Sequence, residues 1–536
     1  MKKIISLFLF SLFLSFSHCA KKGRPTGGPV DEDPPLFVTA DPPYRTVNFD
    51  ANEIRLYFNE YIKLKDVNKQ LVISPPLNPK NPSLITPQGS ASKYINIKIL
   101  DTLLKNTTYI FDFGNSVEDN NEGNKLERFK YVFSTGSYID SLNLRGSVKN
   151  SYSSEKIKHI KLLLYRLDSA YTDSIVYKRK PSYVTSTLDS STYQFTNLRK
   201  GKYFLVALKD ATSDYLFDPK KDEIGFYRDT IILPRDSVLE TPISVFKEEL
   251  PFTFKRAKEL RKGQLIFGYE GVPDDLNIQV LSDVPNDFKT ITSFEKDKDT
   301  LNLWHSPIEK DSLIFKVINK KQIDTAVVYL RKKKLDSLSI TPSINSTLDY
   351  RDTLFLSSNN PIVTIDTSKV SLVVSDSLKV PFTTFISQKE TNVGILFEKQ
   401  YKSNYIFKAN PEAFTDIFGQ KNDSIQVKFR TKALEDYGDI TVAIVNPDQR
   451  HVLIQITDTK DNTITQKAVS SSQTIAFTHL LPRTYKIRII YDTNQNGKWD
   501  TGNFLSKQEA ESVEYFSEEQ TVRANWSLNP TITIKQ

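Results

Sequence analysis

Short runs of alternating apolar and polar residues recur along most of the chain. Examples are EIRLYFNEYIKL at 53–64, YINIKIL at 94–100 and YKIRIIY at 485–491. This period-two alternation is typical of half-buried strands, and the Pro, Asn and Gly residues between the runs indicate turns. Long segments with a 3.6-residue period are absent, and the best helical candidate is the short KRAKELRKG at 255–263. The pattern predicts an all-β chain built of tandem β-sandwich domains.

The chain repeats one pattern of residues at an offset of 282 positions. Tyr203 and Asp210, at the end of a strand pattern, recur as Tyr485 and Asp492. Three further pairs share this offset without a gap: Phe195/Phe477, Leu198/Leu480 and Asp218/Asp500. We therefore predict that 139–249 and 433–536 have the same topology, with each Tyr in a strand and each Asp in the following loop.

A second pair of segments also repeats. The run 109–111 is followed by Phe133, as the run 405–407 is followed by Phe429, with acidic turns between them at Asp119 and Asp416. Together the two repeats divide the chain into a signal sequence at 1–18, a tether at 19–33 and five β-sandwich units. These are unit 1 (34–138), unit 2 (139–249), unit 3 (250–334), unit 4 (335–432) and unit 5 (433–536).

The N-terminus has the parts of a secretion signal. Lys2 and Lys3 precede an apolar run, 4–16, that is too short to span a membrane, and Cys19 follows as the only cysteine. A cysteine directly after such a run is where lipoprotein signal peptidase cuts and where the lipid is attached. We predict lipidation of Cys19, so that the mature chain is tethered to a membrane. The alternatives are ordinary secretion with a free thiol and an uncleaved anchor.

Charge and composition narrow the function classes. The chain has 72 Lys and Arg against 64 Asp and Glu, and no block of like charge indicates a nucleic-acid groove. The five histidines lie in no recognisable catalytic signature, and no nucleophile motif, P-loop or zinc-ligand spacing occurs. We therefore expect a protein that is not an enzyme, although a pair of glycosidase carboxylates stays open as an alternative.

Several motifs resemble a known family. PTGGPVDEDPP, LYFNEYIKL, ISPP, NTTYIFDFGNSVEDNNEGN and FSTG in unit 1 are similar to the S-layer-type bacterial Ig-like domain of Bacteroidetes lipoproteins. LNLRGSV and YQFTNLRKGKYFLVALKD in unit 2 resemble the carboxypeptidase-regulatory or transthyretin-like sandwich. The resemblance implies a repeated pair of Ig-like (units 1 and 4) and transthyretin-like (units 2 and 5) sandwiches around a β insert, unit 3. It also implies a spacer or binding module in the outer membrane.

The stretch after YKIRIIY is a candidate calcium loop. Compared with an EF-hand-type loop, its oxygen ligands would come from six residues: Asp492, Asn494, Asn496, Lys498 through its carbonyl, Asp500 and Asn503. A weaker second site would use Asp210, Thr212, Asp214 and Asp218, where Tyr215 replaces the glycine of the sharp turn. The alternative is that these Asp and Asn side chains only cap a tight turn. Calcium would be structural and would help to bury Trp499.

Two functions remain open. The first is a non-enzymatic lipoprotein of the outer membrane that binds or spaces another envelope protein. The second is a glycan-binding or glycan-processing lipoprotein of nutrient uptake, in which sugars would stack on exposed aromatic rings. We expect Trp499 and Trp526 to lie in the core, which favours the first. Ala20, Lys21 and Lys22 after the cysteine, with acidic residues only from Asp31, favour the periplasmic face.

Overall fold

The computed structural model describes residues 30–78, 83–296, 298–332, 334–375, 378–387 and 391–535. The predicted signal sequence and Cys19 lie outside these residues. Within the described ranges, no helix is both long enough and apolar enough to cross a membrane. The chain is all-β and forms tandem β-sandwiches, as the alternating pattern predicts.

Unit 1 packs two sheets face to face around an aromatic-rich core that includes Phe111 and Phe133. One sheet has the order β4-β5-β2-β7-β8, with β1 on β2, and the other has the order β3-β6-β9. A single helical turn, α1 (Val67–Gln70), joins β2 to β3. The strands are β1 (Phe37–Asp41), β2 (Glu53–Leu64), β3 (Val72–Ser74), β4 (Leu84–Thr86), β5 (Ser92–Lys98), β6 (Thr108–Asp112), β7 (Val117–Asp119), β8 (Lys125–Leu126) and β9 (Lys130–Ser134).

Unit 2 has a three-stranded sheet, β13-β10-β17, and a five-stranded sheet, β12-β11-β14-β15 with β16 on β14. Six consecutive residues of β14, from Tyr203 to Leu208, are buried, so both faces of this strand are covered. A 3-10 turn at Ile175–Tyr177 lies between β11 and β12. The strands are β10 (Leu142–Asn150), β11 (Lys161–Arg166), β12 (Tyr183–Ser186), β13 (Thr192–Leu198), β14 (Gly201–Lys209), β15 (Glu223–Phe226), β16 (Ile231–Leu233) and β17 (Ile243–Val245).

Unit 3 is a sandwich of the sheets β18-β19-β22-β21 and β20-β23-β24. The predicted helix at 255–263 is wrong, because its residues form β18 and turn at Gly263 into a hairpin with β19. Cross-strand pairing with β19 outweighs the favourable helix propensity of the Ala, Lys, Glu, Leu and Arg residues. The strands are β18 (Thr253–Arg261), β19 (Gln264–Glu270), β20 (Asn277–Val280), β21 (Thr290–Phe294), β22 (Thr300–His305), β23 (Ser312–Asn319) and β24 (Gln322–Tyr329).

Unit 4 contains the sheets β25-β27-β32-β31 and β26-β35-β33-β29-β30, with β28 paired to β34. Short 3-10 turns occur at Thr367–Lys369 and, at the entry to unit 5, at Leu434–Asp436. The strands are β25 (Ile340–Pro342), β26 (Thr347–Leu348), β27 (Leu354–Ser358), β28 (Ile362–Ile365), β29 (Val370–Val374), β30 (Leu378–Lys379), β31 (Phe382–Ile386), β32 (Asn392–Phe397), β33 (Asn404–Ala409), β34 (Phe414–Asp416) and β35 (Ile425–Thr431).

Unit 5 pairs a sheet of β39 and β36, with β43 and β44 both parallel to β36, with a sheet β38-β37-β40-β41 that carries β42 on β40. Its core includes Tyr485 and Ile487 on β40. The strands are β36 (Gly438–Val445), β37 (Val452–Thr457), β38 (Thr463–Val469), β39 (Gln473–Leu480), β40 (Thr484–Tyr491), β41 (Val513–Tyr515), β42 (Gln520–Thr521), β43 (Ser527–Leu528) and β44 (Thr531–Thr533).

The predicted repeat of units 2 and 5 is confirmed by their topology. The order β12-β11-β14-β15 of unit 2 matches β38-β37-β40-β41 of unit 5. In each unit the last strand also pairs in parallel with the first: β17 with β10, and β44 with β36. Tyr203 and Tyr485 lie on the equivalent strands β14 and β40, and Asp210 and Asp492 follow directly. The five-unit division of the chain stays our prediction.

Candidate functional site

The loop after β40 is organised by the side chains that the sequence singles out. The carboxylate of Asp492 is buried and accepts the backbone N–H of Asn496 (3.0 Å) and of Gly497 (2.9 Å). Asp500 accepts the side-chain amides of Asn494 and Asn496, each at 2.6 Å, through one oxygen. The structure therefore brings four of the predicted ligand residues into one hydrogen-bonded cluster.

Lys498 and Asn503 take different positions. The Lys498 side chain lies 3.5 Å from Asp500, so it neutralises part of the loop's charge. The side-chain oxygen of Asn503 accepts the backbone N–H and the hydroxyl of Ser506, both at 3.0 Å, and therefore caps a separate turn. Asn503 is thus engaged away from the cluster of the other predicted ligands.

A buried carboxylate that the sequence analysis missed supports this loop. One oxygen of Glu511 accepts the backbone N–H (2.7 Å) and the hydroxyl (2.8 Å) of Thr493, and the other accepts the backbone N–H of Asp500 (3.2 Å). Its backbone carbonyl accepts the indole N–H of Trp499 at 3.0 Å. Glu511 therefore ties both ends of the loop to the start of β41.

The copy of the loop in unit 2 uses the same device. Asp222 is fully buried, and its two oxygens accept the backbone N–H of Ala211 (2.9 Å) and of Asp218 (2.8 Å). Ala211 and Asp218 are the equivalents of Thr493 and Asp500 at the 282-residue offset. Asp222 and Glu511 therefore have the same role. They are not related by the 282-residue offset, because the connection before Glu511 is longer than the one before Asp222.

The predicted ligands of unit 2 mostly cap backbone. Asp210 accepts the N–H of Tyr215 at 2.8 Å and that of Thr212 at 3.2 Å, while Asp214 accepts Leu216 at 2.9 Å. Asp218 accepts the N–H of Lys220 at 3.0 Å. Side-chain-to-backbone bonds of this kind are those of a tight turn, the alternative that the sequence left open.

The two loops also share their backbone conformation. Gln495 and Gly497 have φ values of 61° and 78°, and their equivalents Ser213 and Tyr215 have 57° and 61°. Tyr215 thus adopts the left-handed conformation that glycine takes more easily, at a cost of roughly 1–2 kcal/mol. Replacement of the glycine therefore leaves the turn intact.

Asp210 in unit 2 and Asp500 in unit 5 have pKa shifts in opposite directions. Burial raises the pKa of Asp210, and the N–H of Tyr215 opposes this only in part. Burial also acts to raise the pKa of Asp500, but the hydrogen bonds from Asn494 and Asn496 and the charge of Lys498 outweigh it and hold the pKa below its usual value. The unit 5 loop therefore favours the ionised carboxylate that a cation needs.

The oxygens of the unit 5 loop are occupied much as those of the unit 2 loop are. Asn494 and Asn496 turn their amide N–H groups toward Asp500, and their oxygens accept the backbone N–H of Asn496 (3.1 Å) and of Lys498 (3.0 Å). Calcium prefers six to eight oxygen ligands, and a calcium site stays a prediction for both loops. In unit 2 the neighbours of Asp210 are Thr212 and Asp214, and its pKa is raised. Within the described residues, no group of three or more His, Cys, Asp or Glu is placed to hold a metal.

Trp499 joins this loop to unit 2. Its ring lies 4.7 Å from the ring of Tyr152, between centroids, and Tyr152 is also contacted by the guanidinium of Arg488 at 4.0 Å. Arg488 is fully buried and donates to the hydroxyl of Tyr152 at 2.8 Å, and Tyr515 donates to the carbonyl of Tyr152 at 3.1 Å. The prediction that Trp499 is buried in the core holds only in part, because it is half-buried between two units.

The connection from Thr501 to Ala510 inserts into unit 2. Phe504 is fully buried within a cluster of unit 2 residues that includes Phe204, Phe217, Phe226 and Phe246. Its backbone N–H donates to Glu248 at 2.5 Å, and Lys507 lies above its ring and 3.7 Å from Asp173. We call the contacts of Tyr152, Trp499, Arg488 and Phe504 between units 2 and 5 the inter-repeat interface.

Three other candidate site residues are Trp526, His479 and His159. The expectation that Trp526 lies in the core is wrong, because it is 58% exposed and precedes the short strand β43, with Arg523 at 5.3 Å from its ring. The ring of His479 and the hydroxyl of Tyr401 form a hydrogen bond of 2.6 Å where units 4 and 5 meet. His159 lies 3.4 Å from Asp189 on the surface.

Comparison with known proteins adds a family for unit 1. Residues 31–135 match the model of a bacterial Ig-like domain family. No curated protein matches the chain. The match confirms the Ig-like interpretation of the first unit.

The solved structures that match this chain have low identity to it. An S-layer protein, rSbsC, is 11% identical over 90% of this chain and 66% of that one, with a TM-score of 0.14. A tandem of titin domains is 7% identical over 53% of this chain and 100% of that one, with a TM-score of 0.12. BcpA, the major pilin subunit of Bacillus cereus, is 10% identical over 73% and 99%, with a TM-score of 0.15. These TM-scores are too low to carry any argument about arrangement or role.

Proposed function

We propose that this chain is a non-catalytic scaffold of the bacterial cell envelope, anchored in the outer membrane through a lipid on Cys19. The observation that carries this proposal is the inter-repeat interface. Buried aromatic and charged side chains, which in an enzyme would line a cleft, here join unit 2 to unit 5. The chain thereby fixes its units against each other instead of leaving them to move on flexible linkers.

A fixed array of sandwiches suits a protein that holds a partner at a set distance from a membrane. The tether at 19–33 would separate the units from the bilayer, and the partner would be another envelope protein. A salt bridge of Glu270 with Lys220 (2.9 Å) also joins unit 3 to unit 2. We favour the periplasmic face, because no acidic residue directly follows Cys19.

The anchor is tested by metabolic labelling with a fatty acid. The wild-type chain should be labelled and should sediment with outer membranes, whereas Cys19→Ala should be unlabelled and released. Equal labelling of both chains would contradict lipidation at Cys19. Resistance to protease in intact cells, with digestion after lysis, would support the periplasmic face, and digestion of intact cells would contradict it.

The binding role is tested by crosslinking in intact cells followed by purification of the chain. We expect a defined set of envelope proteins to be captured by wild type and lost with Phe504→Ala, which removes the Phe504 contacts of the inter-repeat interface. Leu505→Ala, at a neighbouring side chain that is 57% exposed, is the matched control and should retain the partners. Identical capture by all three chains would contradict a role for the fixed array.

Glycan binding is the second candidate function. The exposed ring of Trp526, with Arg523 beside it, is a surface on which a sugar could stack. A glycan array probed with wild type and with Trp526→Ala would test this. Binding that is lost in the variant would favour the glycan role. An array without signal would leave the scaffold role as the only candidate.

A further inference from the structure

The outer face of the β20-β23-β24 sheet of unit 3 carries apolar residues. On β23, Leu313, Phe315 and Val317 belong to the core of the unit, so Ile314 and Ile318, which alternate with them, point away from it. In antiparallel sheets with one covered face, the outer face usually carries polar residues. This face therefore differs from the ordinary solvent-facing side of a sandwich.

Cross-strand register joins the outward residues into two apolar rows. In the first row Ile314 pairs with Val327 on β24, and its carbonyl accepts the backbone N–H of Leu281, directly after β20. In the second row Ile318 pairs with Ile323. Leu281, Val327 and Ile323 are 54%, 48% and 58% exposed. Large contiguous apolar patches on a protein surface mark sites of contact with proteins or membranes, and the two rows form such a patch.

One cation lies between the two rows. Lys316 pairs with Gln279 on one side and with Thr325 on the other, at the centre of the face. Its ammonium forms no salt bridge within the part of the chain that the structure describes. The outward positions of the three strands include no acidic residue. The patch is therefore apolar with a positive centre, and it complements a partner that is both apolar and negatively charged.

Both ends of the patch carry further positive charge. Tyr329, at the end of β24, is 75% exposed, and the exposed residues Arg331, Lys332 and Lys334 follow it. At the opposite end, the exposed Lys321 lies in the turn between β23 and β24. Tyr, Lys and Arg suit the surface of a bilayer, because each joins an apolar ring or stem to a polar tip. The ends of the patch thus have the composition of a membrane contact.

An anionic lipid surface fits this face better than a protein does. Lysine is depleted at the centres of protein–protein interfaces, because burial there takes its ammonium out of water. At a bilayer surface the stem of Lys316 can lie along the apolar rows while its ammonium reaches a lipid phosphate. A second copy of the chain, packed on the same face about a two-fold axis, would bring two Lys316 ammonium groups together.

We propose that the outer face of the β20-β23-β24 sheet docks on a bilayer that contains anionic lipids. The two apolar rows enter the boundary between headgroups and acyl chains, and Lys316 and the cations at both ends pair with lipid phosphates. This contact goes beyond the scaffold role, because it gives the array a second membrane contact that sets its orientation. It needs neither the lipid at Cys19 nor the inter-repeat interface, so its failure and the failure of the scaffold role are distinguishable.

The test uses the full mature chain with Cys19→Ala, so that no attached lipid holds the chain on a membrane. Sedimentation with vesicles measures the bound fraction, both for phosphatidylcholine alone and for phosphatidylcholine mixed with phosphatidylglycerol. We expect stronger binding to the mixed vesicles, and binding that weakens as salt is added, because ions screen the Lys and Arg charges. Absence of binding to the mixed vesicles, or equal binding to both kinds, would overturn the proposal.

Variants of the apolar rows locate the binding. The double variant Ile323→Gln with Val327→Gln makes one exposed residue of each row polar, and its affinity for the mixed vesicles should fall about tenfold or more. Leu260→Gln is the matched control, because Leu260 is 48% exposed on β18 in the other sheet of unit 3, and it should bind as the parent chain does. An equal loss in Leu260→Gln would overturn the proposal.

A charge variant completes the test and replaces the double variant if that chain does not fold. Lys316→Gln should lower the affinity for the mixed vesicles about fivefold, the usual effect of one lysine at an anionic surface. Lys289→Gln, at an exposed lysine before β21, is its control and should leave the affinity unchanged. The basic residues of the tether are present in every chain, so binding through the tether alone would be the same in all of them. Unchanged affinity in the folded variants of this face would therefore overturn the proposal.

Discussion

Phe504 belongs to unit 5 by sequence but is buried in unit 2. We predict that Phe504→Ala lowers the free energy of unfolding of the joined units by about 3–5 kcal/mol, the usual cost of truncating a buried phenylalanine. Leu505→Ala is the matched control and should change it by less than about 0.5 kcal/mol, because Leu505 is exposed. Urea unfolding followed by Trp499 fluorescence, in a background with Trp304→Phe and Trp526→Phe, measures both.

An equal effect of the two alanine variants would contradict the burial of Phe504 in unit 2. A blue-shifted emission of Trp499 that persists in Phe504→Ala would show that Tyr152 and Arg488 hold the interface without the phenylalanine.

At the same scale, the loop from Asp492 to Asp500 tests the calcium hypothesis. If the loop binds calcium in the folded state only, excess Ca²⁺ must raise the melting temperature of the chain relative to chelator, and Asp492→Ala must abolish that rise. Asp448→Ala, at a surface carboxylate of unit 5, is the control and should leave the rise unchanged. The weak ligand set, without a bidentate Glu at the last position, places the dissociation constant at about 10⁻⁴–10⁻³ M.

Melting that is indifferent to calcium well above that range would mean that the loop is only a turn. In that case Asp492 only caps the turn, through its hydrogen bonds with the backbone N–H groups of Asn496 and Gly497.

Single residues also mark the limit of what could be predicted. Asp492, Asn494, Asn496 and Asp500 were identified from their spacing, because local ligands on a tight turn are close in sequence. Glu511 was missed, since it lies 18 residues after Thr493 and 11 residues after Asp500 in the sequence. The available signal was an acidic residue two positions before the first apolar residue of β41, Val513, as Asp222 is before Ile224 of β15.

At the scale of elements, the repeat extends to individual hydrogen bonds. The hydroxyl of Tyr203 on β14 donates to the carbonyl of Arg199 at 2.7 Å, and that of Tyr485 on β40 donates to the carbonyl of Leu481 at 2.8 Å. In units 1 and 4, the hydroxyls of Tyr109 and Tyr405 accept the backbone N–H five residues earlier, both at 2.8 Å. Each bond fixes the entry to the central strand of its sheet.

We predict that Tyr203→Phe and Tyr485→Phe each lower the free energy of unfolding by about 1–3 kcal/mol, because each leaves a half-buried carbonyl without this donor. The two effects should be similar, since the geometry is the same. Hydrogen exchange of the amides on β14 and β40 measures each unit separately. A loss in one unit and none in the other would contradict equivalent roles for the repeated tyrosines.

Elements with strong alternation were predictable, and those without it were not. β2 follows its period-two pattern because one face meets a core, whereas β40 is buried on both faces from Ile487 to Tyr491. β18 lacks such a pattern, since its Lys, Arg and Glu residues carry no alternation and only the hairpin through Gly263 makes it a strand. Pairing between strands is a tertiary effect that local sequence does not encode.

At the scale of the whole molecule, the chain leaves unit 2, passes through units 3 and 4 and returns to pack unit 5 on unit 2. The sequence predicted the repeat but not this return. Phe504 has the sequence context of an ordinary loop residue, with exposed Leu505 next to it, and only the cluster on unit 2 distinguishes them. Contacts between residues more than 250 positions apart leave no periodicity to detect.

Zero-length carbodiimide crosslinking of the monomeric chain, followed by mass spectrometry of the peptides, tests this return most directly. Lys507 of unit 5 lies 3.7 Å from Asp173 of unit 2, and the ion pair of Lys369 with Glu412, at 3.2 Å within unit 4, is the internal control. We predict a Lys507–Asp173 crosslink in the monomer fraction, lost in Phe504→Ala while the control crosslink remains. Recovery of the control crosslink without Lys507–Asp173 from the wild-type chain would contradict the packing of unit 5 on unit 2.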